Sequence, residues 1–413
     1  MKQNKKKTPK KQPNSAPTLQ EITCILSGEE LDRLAKEYGV EDQRDKPLTL
    51  QCFVYLMLLG CSLGNRLNYE ELAKQASNWR LLNEACKDSI TGHRINQQVK
   101  ERGEDFARGL FQYLLGTVLG FPRRSRRKLT RHFSKILCQD GSVIRLCQKL
   151  VDLYTGTHGE AALKIQVRYE VLSGGAELVG VSDGKRSDQS YQTPQKYGRD
   201  VLWLVDLGYY AFDRFKKMEQ SGQYFVSRIK TNGQPLLIED CPENWIGMTL
   251  QEIKAEKGKN YDMQAVVGKD LFVRVIGIYN PEEENHWWYM TNVDETAFSA
   301  QEIQDLYRLR WEIELFFRGL KHVLNVLVIL NQKDKSKIRS QLYYAFSYYL
   351  LIQIIRLKAA WMHRVKWERL SFACCERLLR SWLIERVTES HDNASAKWNL
   401  KVLMDKIRKE AYL

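Results

Sequence analysis

Four side chains between residues 305 and 322 combine a phenol, a guanidinium, a carboxylate and an ammonium. They are Tyr307, Arg310, Glu314 and Lys321. The stretch lacks proline and contains one glycine, so the sequence predicts a single helix. At about 100° per residue, the four side chains fall within roughly 60° of one another around the helix axis. Such a face either binds a substrate in a cleft or is an exposed face with an Arg310–Glu314 ion pair worth about 0.2–0.5 kcal/mol.

An apolar stripe runs beside these four side chains. It consists of Leu309, Ile313, Phe316, Phe317 and Leu320. An amphipathic helix buries such a stripe, so we expect it to seat the helix on a core and to direct the polar side chains into a cleft. Glu312 lies on the far side of the helix, which makes Glu314 the candidate carboxylate.

Two aspartates stand where predicted strands end. Asp140 follows the apolar run ILC, and Asp206 follows VLWLV. Sites in open sheets lie at strand ends, although an Asp before Gly is also a common turn residue. If Asp140 and Asp206 lie on neighbouring strands and Glu314 packs across them, three carboxylates converge. Oxygen ligands without His or Cys suit Mg²⁺ or Mn²⁺, and two such ions can clamp a phosphoryl displacement.

The order of predicted elements indicates an α/β protein. Residues 18–121 have helical periodicity, and the pattern then changes to that of strands. Three successive strands followed by strand, helix and strand describe a mixed sheet. Within ILCQDGSVIRL, the Asp-Gly pair at Asp140 predicts a turn between two short strands. Further strands follow in residues 231–298, and helices follow to the end of the chain.

Composition favours a polyanionic partner. The 413 residues carry a formal charge of +14 with 50 acidic residues still present, so nucleic acid is the expected partner. A cluster that would contact phosphates follows Pro122, namely Arg123, Arg124, Arg126 and Arg127. The nine cysteines lack CxxC spacing, which predicts reduced core thiols in a cytoplasmic protein. The uncharged runs 48–65 and 340–355 contain Gln and Ser, so we expect buried helices and no membrane span.

The chain resembles the DDE transposases of bacterial insertion sequences. The spacing of Tyr307, Arg310, Glu314 and Lys321 is similar to that family's Tyr-Arg-Glu-Lys signature. Asp140-Gly141-Ser142 resembles its first aspartate motif, and the segment from Asp206 to Tyr210, DLGYY, resembles its second. Leu207 stands where the family often has a polar residue, so Asp183 and Asp188 are kept as alternatives to Asp206.

The resemblance implies a site and a fold. The fold would be an RNase H-like mixed sheet flanked by helices, with an inserted β subdomain and helical N- and C-terminal regions. Asp140, Asp206 and Glu314 would be catalytic and would bind two Mg²⁺ or Mn²⁺ ions. Tyr307, Arg310 and Lys321 would contact DNA phosphates. Trp287 or Trp288 would stack on an unpaired base, although adjacent tryptophans in a strand face opposite sides and one is then expected in the core.

The implied activity is DNA transposition. The protein would bind terminal inverted repeats as a homodimer, hydrolyse a strand at the element boundary and join the 3′-hydroxyl to target DNA in the bacterial cytoplasm, associated with the nucleoid. Two alternatives stay open: a nuclease that only hydrolyses, and a catalytically silent DNA-binding descendant. The expected division is a basic mobile arm (1–17), a helical DNA-binding domain (18–121), the first part of the core (122–230), a β insertion (231–298), a core helix region (299–332) and a helical region for dimerisation or DNA contacts (333–413).

Overall fold

The computed structural model describes residues 26–41, 48–61, 68–77, 90–121, 132–191, 197–229, 235–323, 333–388 and 400–413. The predicted basic arm 1–17 lies outside these residues. So do Arg123, Arg124, Arg126 and Arg127, whose expected DNA contacts therefore stay predictions.

The N-terminal region is helical, as predicted. It comprises α1 (Gly28–Glu37), α2 (Leu50–Gly60), α3 (Tyr69–Ala76) and α4 (Gly92–Leu119). Each helix begins after a residue whose side-chain oxygen accepts a backbone N–H of the first turn, and these residues are Ser27, Thr49, Asn68 and Thr91. The chain kinks within α4 at Gly103, whose φ of 71° favours glycine.

The described residues form a nine-stranded mixed sheet. Its strands are β1 (Lys135–Arg145), β2 (Ala162–Glu170), β3 (Gly175–Asp183), β4 (Val201–Val205), β5 (Tyr224–Arg228), β6 (Leu236–Glu239), β7 (Tyr261–Val267), β8 (Leu271–Asn280) and β9 (Asn285–Thr291). They lie in the order β3-β2-β1-β4-β5-β9-β8-β7-β6. The pairs β1–β4 and β4–β5 are parallel and the others are antiparallel. The insertion strands therefore extend the core sheet through β9.

One prediction for the sheet was wrong. The Asp-Gly pair does not form a hairpin turn, because β1 is one continuous strand with Asp140 and Gly141 inside it. It pairs with β2 without interruption from Leu137 to Arg145. A turn at Asp140 would break that ladder, and the hydrogen bonds of a long partner strand outweigh a local turn preference.

The remaining helices cover the two faces of the sheet. They are α5 (Phe212–Gln220), α6 (Ala300–Arg308), α7 (Trp311–Arg318), α8 (Lys335–His363), α9 (Phe372–Thr388) and α10 (Leu400–Glu410). Alternate residues of β1 and β4 enter different cores. Ile136 and Leu204 pack on the first face with α4, α6, α7 and α8, whereas Leu137 and Trp203 pack on the second face with α5.

The single helix predicted for residues 305–322 was also wrong. The chain forms α6, then α7, and ends in a π-helical turn at Gly319–Val323. Between α6 and α7 the backbone stays right-handed helical but tightens. Arg310 N bonds to Tyr307 O at 2.9 Å and Ile313 N to Arg310 O at 3.2 Å, which is the spacing of a 3₁₀ helix. This change in winding alters the angular positions that an ideal helix gives to the side chains.

The uncharged run 340–355 lies inside α8 and is buried in the core, as predicted. Two of its glutamine amides are hydrogen-bonded inside the protein: Gln353 Nε2 donates to Ser173 O at 2.8 Å, and Gln341 Nε2 donates to the Tyr69 hydroxyl at 2.9 Å. Among the described residues, no helix is long and apolar enough to cross a membrane.

Candidate active site

The sheet register places the two predicted aspartates side by side. The parallel pairing of β1 with β4 ends with Cys138 opposite Leu204. Continuing that register by two residues sets Asp140 opposite Asp206, which directly follows the end of β4. Side chains alternate between the two faces along a strand, and Asp140 and Asp206 are each an even number of positions from Cys138 and Leu204, which pack on the first face. Both aspartates therefore point to the face covered by α7. Asp140 was predicted at the end of a strand, but it lies inside β1, in the part of that strand that continues beyond its pairing with β4.

Asp140 lies in a partly desolvated position. Burial raises its pKa to about 6, and the negative charge of Asp206 acts in the same direction. The backbone N–H of Gly141, which donates to Asp140 Oδ1 at 2.7 Å, and the charge of Arg310 oppose this shift. A cation between Asp140 and Asp206 would offset the repulsion between their negative charges.

Asp206 is fixed by the turn that follows it. Its carboxylate accepts the N–H of Gly208 at 2.9 Å and caps the 3₁₀ turn Leu207–Tyr209. Its other oxygen lies 3.6 Å from a guanidinium nitrogen of Arg310. Leu207 needs no polar side chain for this geometry, because the turn is closed through backbone atoms.

Arg310 connects Asp206 to Glu314. A second guanidinium nitrogen donates to Glu314 Oε1 at 2.5 Å. The Arg310 side chain is 18% exposed and that of Glu314 31%, so this is a half-buried pair. The two interpretations of the helix face are therefore not exclusive: the ion pair forms, and it forms directly above the two aspartates.

Tyr307 supports Arg310 from the core side. Only 9% of Tyr307 is exposed, and its ring contacts the ring of Tyr289 edge to face at 5.4 Å between centroids. The Arg310 guanidinium lies 5.9 Å from the Tyr307 ring centre. Burial raises the pKa of Tyr307 to about 12, with Arg310 opposing the shift and Asp206 adding to it.

Lys321 approaches the site from the π-helical turn. It is half-buried, and this burial lowers the pKa of its ammonium while the charge of Asp140 raises it. Its neighbour His322 is exposed. The structure thus gathers the three predicted carboxylates and the three predicted phosphate contacts on one face of the sheet.

The donor set suits a hard divalent cation. Asp140, Asp206 and Glu314 offer carboxylate oxygens, and burial, with a smaller contribution from the charge of Asp206, raises the pKa of Asp140. In the described part of the chain, however, no three acidic, histidine or cysteine side chains lie close enough to hold one ion as they stand. Arg310 contacts both Asp206 and Glu314, so its guanidinium supplies the positive charge at this position.

The alternative aspartates lie elsewhere. Asp188 pairs with Lys164 at 2.8 Å, and Lys164 belongs to the β2 residues that face away from the first core. Asp183 ends β3, two strands from β1 in the sheet. Asp206 is the aspartate that lies beside Asp140 on the first face of the sheet, whereas Asp188 lies behind Gly141 on the second face.

The two tryptophans of β9 point to opposite faces, as expected. Trp288 packs on the second face against Tyr261 and directly over Gly277, where any Cβ would collide with the indole. Trp287 lies on the first face with Arg228 5.6 Å from its ring centre. Trp287 therefore shares the face of the candidate site.

Sequence interpretation missed two features. Trp311, next to Arg310, is 51% exposed, and its position outside the apolar stripe is a signal that could have been noticed. The polar cluster around Asp188 and Gln166 was not predicted, because its members are far apart in sequence.

Part of this chain matches a known protein family, and much of its length is similar to named relatives. Residues 131–351 match the family model described as the transposase DDE domain. The transposase for insertion sequence element IS231B of Bacillus thuringiensis subsp. berliner is 23% identical over 355 residues, covering 74% of this chain and 73% of the relative. The transposase for insertion sequence element IS1151 of Clostridium perfringens is 25% identical over 309 residues, covering 63% of this chain and 64% of the relative.

The matched span contains both aspartates, the helix with Glu314 and the strands that position them. Since the family model matches more than half of the 413 residues, the chain belongs to the transposase DDE domain family.

Proposed function

We propose that this chain cuts DNA at the ends of an insertion sequence and joins the freed 3′-hydroxyl to target DNA in a reaction that depends on Mg²⁺ or Mn²⁺. The observation that carries the proposal is the placement of Asp140 opposite Asp206 beneath Arg310 and Glu314. The named relatives, all transposases for insertion sequence elements, favour this function over a nuclease that only hydrolyses and over a silent DNA-binding protein.

Asp140, Asp206 and Glu314 would hold two divalent ions. When bound, such ions activate the attacking oxygen and stabilise the leaving one. In the first step a water oxygen attacks the phosphorus at the element end, the 3′-oxygen leaves, and a proton is transferred to yield a 3′-hydroxyl. In the second step that 3′-hydroxyl attacks a target phosphorus and displaces a 3′-oxygen. The chemistry requires no covalent bond to the protein.

The cationic side chains would bind the DNA backbone beside the cleaved bond. Arg310 offers a planar fork that matches phosphate oxygens, and Lys321 offers a point charge. Tyr307 is buried under Arg310, so its main contribution would be to orient that guanidinium. When Arg310 moves to a phosphate, the carboxylates it leaves can accept metal.

The partners are double-stranded DNA with terminal inverted repeats and a second copy of the chain in a synaptic complex. The charge of +14 supports a polyanionic partner. Trp287, on the site face beside Arg228, would stack on an unpaired base at the cleaved end. A protein acting on chromosomal DNA in this way would work in the bacterial cytoplasm at the nucleoid.

The test is cleavage and joining of a DNA duplex that carries the element ends, in Mg²⁺. Asp140→Asn, Asp206→Asn and Glu314→Gln each remove one carboxylate charge and should abolish both reactions while the protein still binds DNA. Asp305→Asn is the matched control, since Asp305 is exposed and pairs with the exposed Arg308.

Retention of cleavage by any of the three site variants would contradict the assignment. Product analysis separates transposase from nuclease, because joined products with the 3′-end covalently attached to target DNA form only by strand transfer. If wild-type protein yields cut ends alone under all metal conditions, the hydrolytic alternative replaces the proposal.

A further inference from the structure

A buried polar network lies on the second face of the sheet, directly behind the candidate site. Lys164, Gln166 and Arg168 alternate along β2 and therefore share one face. All three are buried, with exposures of 8%, 0% and 2%. Charged and amide side chains are costly in such positions unless they are hydrogen-bonded. Their partners therefore identify what this cluster holds in place.

Asp188 is the centre of the first part of the network. Lys164 Nζ lies 2.8 Å from Asp188 Oδ1 and donates to Arg186 O at 3.0 Å. Gln166 Nε2 donates to the same Asp188 oxygen. These bonds attach the loop that contains the 3₁₀ turn Asp188–Ser190 to the middle of β2.

The network touches Asp140 through the residue that follows it. Gly141 pairs with Gln166 across β1 and β2. A Cβ at Gly141 would lie 2.5 Å from Asp188 Oδ1 and 2.8 Å from Lys164 Cε, which leaves no room for any side chain. The backbone of β1 beside Asp140 is therefore pressed directly against the network.

The network reaches Asp206 through Tyr209. The Tyr209 hydroxyl donates to Gln166 Oε1 at 2.6 Å and lies 3.3 Å from Asp188 Oδ1. Tyr209 is 2% exposed and ends the 3₁₀ turn that Asp206 caps. Tyr209 N also donates to Asp206 O at 2.9 Å, so the phenol and the aspartate belong to one rigid turn.

We propose that Tyr209 and Gln166 are positioning residues that hold Asp206 at a fixed separation from Asp140. Gln166 contacts Gly141, next to Asp140, with its amide and holds the turn of Asp206 through the Tyr209 hydroxyl. The β1–β4 ladder stops at Cys138 and Leu204, so it does not by itself fix the two aspartates beyond that point. The proposal rests on the proposed function, in which these two carboxylates bind metal together.

The experiment measures Mn²⁺ binding to the full-length chain by the loss of the free Mn²⁺ electron paramagnetic resonance signal, with and without a duplex carrying the element end. Tyr209→Phe removes one hydroxyl and keeps the ring. We expect its Mn²⁺ dissociation constant to rise roughly 10-fold or more, the usual effect of losing a group that orients a metal ligand. DNA affinity in the absence of metal should not change.

Tyr261→Phe is the matched control. Tyr261 is buried in β7, four strands from β4, and its hydroxyl accepts the N–H of Glu256 at 2.9 Å. Each variant removes one hydrogen-bonded hydroxyl and keeps the ring, so both should lower the melting temperature. Only Tyr209→Phe should weaken Mn²⁺ binding.

Gln166→Met supplies a second route to the same result. It should weaken Mn²⁺ binding as Tyr209→Phe does, and the double variant should be little weaker than either single one, because all three break the same link. If Tyr209→Phe binds Mn²⁺ as tightly as Tyr261→Phe does, Tyr209 does not have the proposed positioning role. If Asp206→Asn binds Mn²⁺ as wild type does, the proposed metal site fails, and this inference fails with it for a different and recognisable reason.

Discussion

Arg310 should compete with divalent metal for the carboxylates of the site. Its guanidinium contacts Glu314 at 2.5 Å and Asp206 at 3.6 Å, and its side chain is 18% exposed. A metal ion that binds both carboxylates must displace these contacts. Arg310→Gln removes the positive charge and keeps a polar side chain of similar reach. We therefore expect the DNA-free variant to bind Mn²⁺ more tightly than wild type.

The expected size follows from the contact that is lost. A hydrogen bond to a charged group contributes about 1.5–3 kcal/mol net. Since 1.4 kcal/mol corresponds to a factor of ten, Mn²⁺ should bind about 10- to 100-fold more tightly to Arg310→Gln. DNA binding should change in the opposite direction, because the bidentate phosphate contact proposed for Arg310 would be lost. Opposite signs for the two ligands distinguish this mechanism from a general loss of structure.

Calorimetric titration with Mn²⁺, without and with end DNA, measures both effects. Arg308→Gln is the matched control, since Arg308 is exposed and its ion pair with Asp305 at 3.3 Å lies outside the site. The reasoning is refuted if Arg310→Gln binds Mn²⁺ in the absence of DNA with the affinity of wild type or less. In addition, Mn²⁺ should raise the melting temperature of Arg310→Gln more than that of wild type, since ligands that bind only the folded state stabilise it.

Three further perturbations test the packing around the site. Gly141→Ala should lower the free energy of unfolding by about 1–3 kcal/mol in urea denaturation, because its Cβ would overlap the network on β2. Arg274→Met should destabilise by about 3–5 kcal/mol by the same measurement, because the buried guanidinium pairs with Asp262 and donates to Phe298 O at 2.7 Å beside the start of α6. Trp287→Ala should weaken binding of DNA with an unpaired base at the cleaved end by about 1–3 kcal/mol in a fluorescence titration, whereas Trp288→Ala should mainly destabilise the fold.

Each of these three substitutions has a control substitution elsewhere in the chain. Gly198→Ala adds the same methyl group at a position where no atom of the described residues lies within 4 Å, so it should leave the unfolding free energy nearly unchanged. Arg308→Met removes an exposed arginine and should cost far less than Arg274→Met. A Trp287→Ala variant that binds fully paired and unpaired ends with the wild-type ratio would remove the stacking role.

Local spacing in the sequence determined the content of the site. The apolar residues Ile313, Phe316, Phe317 and Leu320 are buried as predicted, since a helical period survives small changes in winding. The order of most strands and helices was also predicted, because it depends on patterns of a few residues, but the strand break at Asp140 and the single helix over residues 305–322 were wrong. Asp140, Asp206 and Glu314 were predicted as site residues from residue type, from their relation to these elements and from the resemblance to DDE transposases, and their roles stay predictions.

Tertiary structure decided the local conformation at Asp140 and the position of the Arg310 side chain, which residue spacing could not predict. Whether Asp140 begins a turn or continues a strand depended on β2, whose pairing extends through Arg145 and outweighs the local Asp-Gly preference. The tightened turn at Arg310 changed the predicted helix and set its guanidinium against both Glu314 and Asp206. Local patterns contain no information about which distant segments will meet.

The polar network behind the site shows most clearly that local sequence patterns do not predict contacts between distant segments. Gln166 and Tyr209 are 43 residues apart, and Gln166 and Asp188 are 22 apart. No periodicity relates such positions, and each residue alone has an ordinary surface interpretation. The sequence thus determined which chemical groups the candidate site contains. The long-range register of the sheet and the contacts on both of its faces decided how these groups are held. The reason is that hydrogen bonds between distant segments form only once the chain has folded.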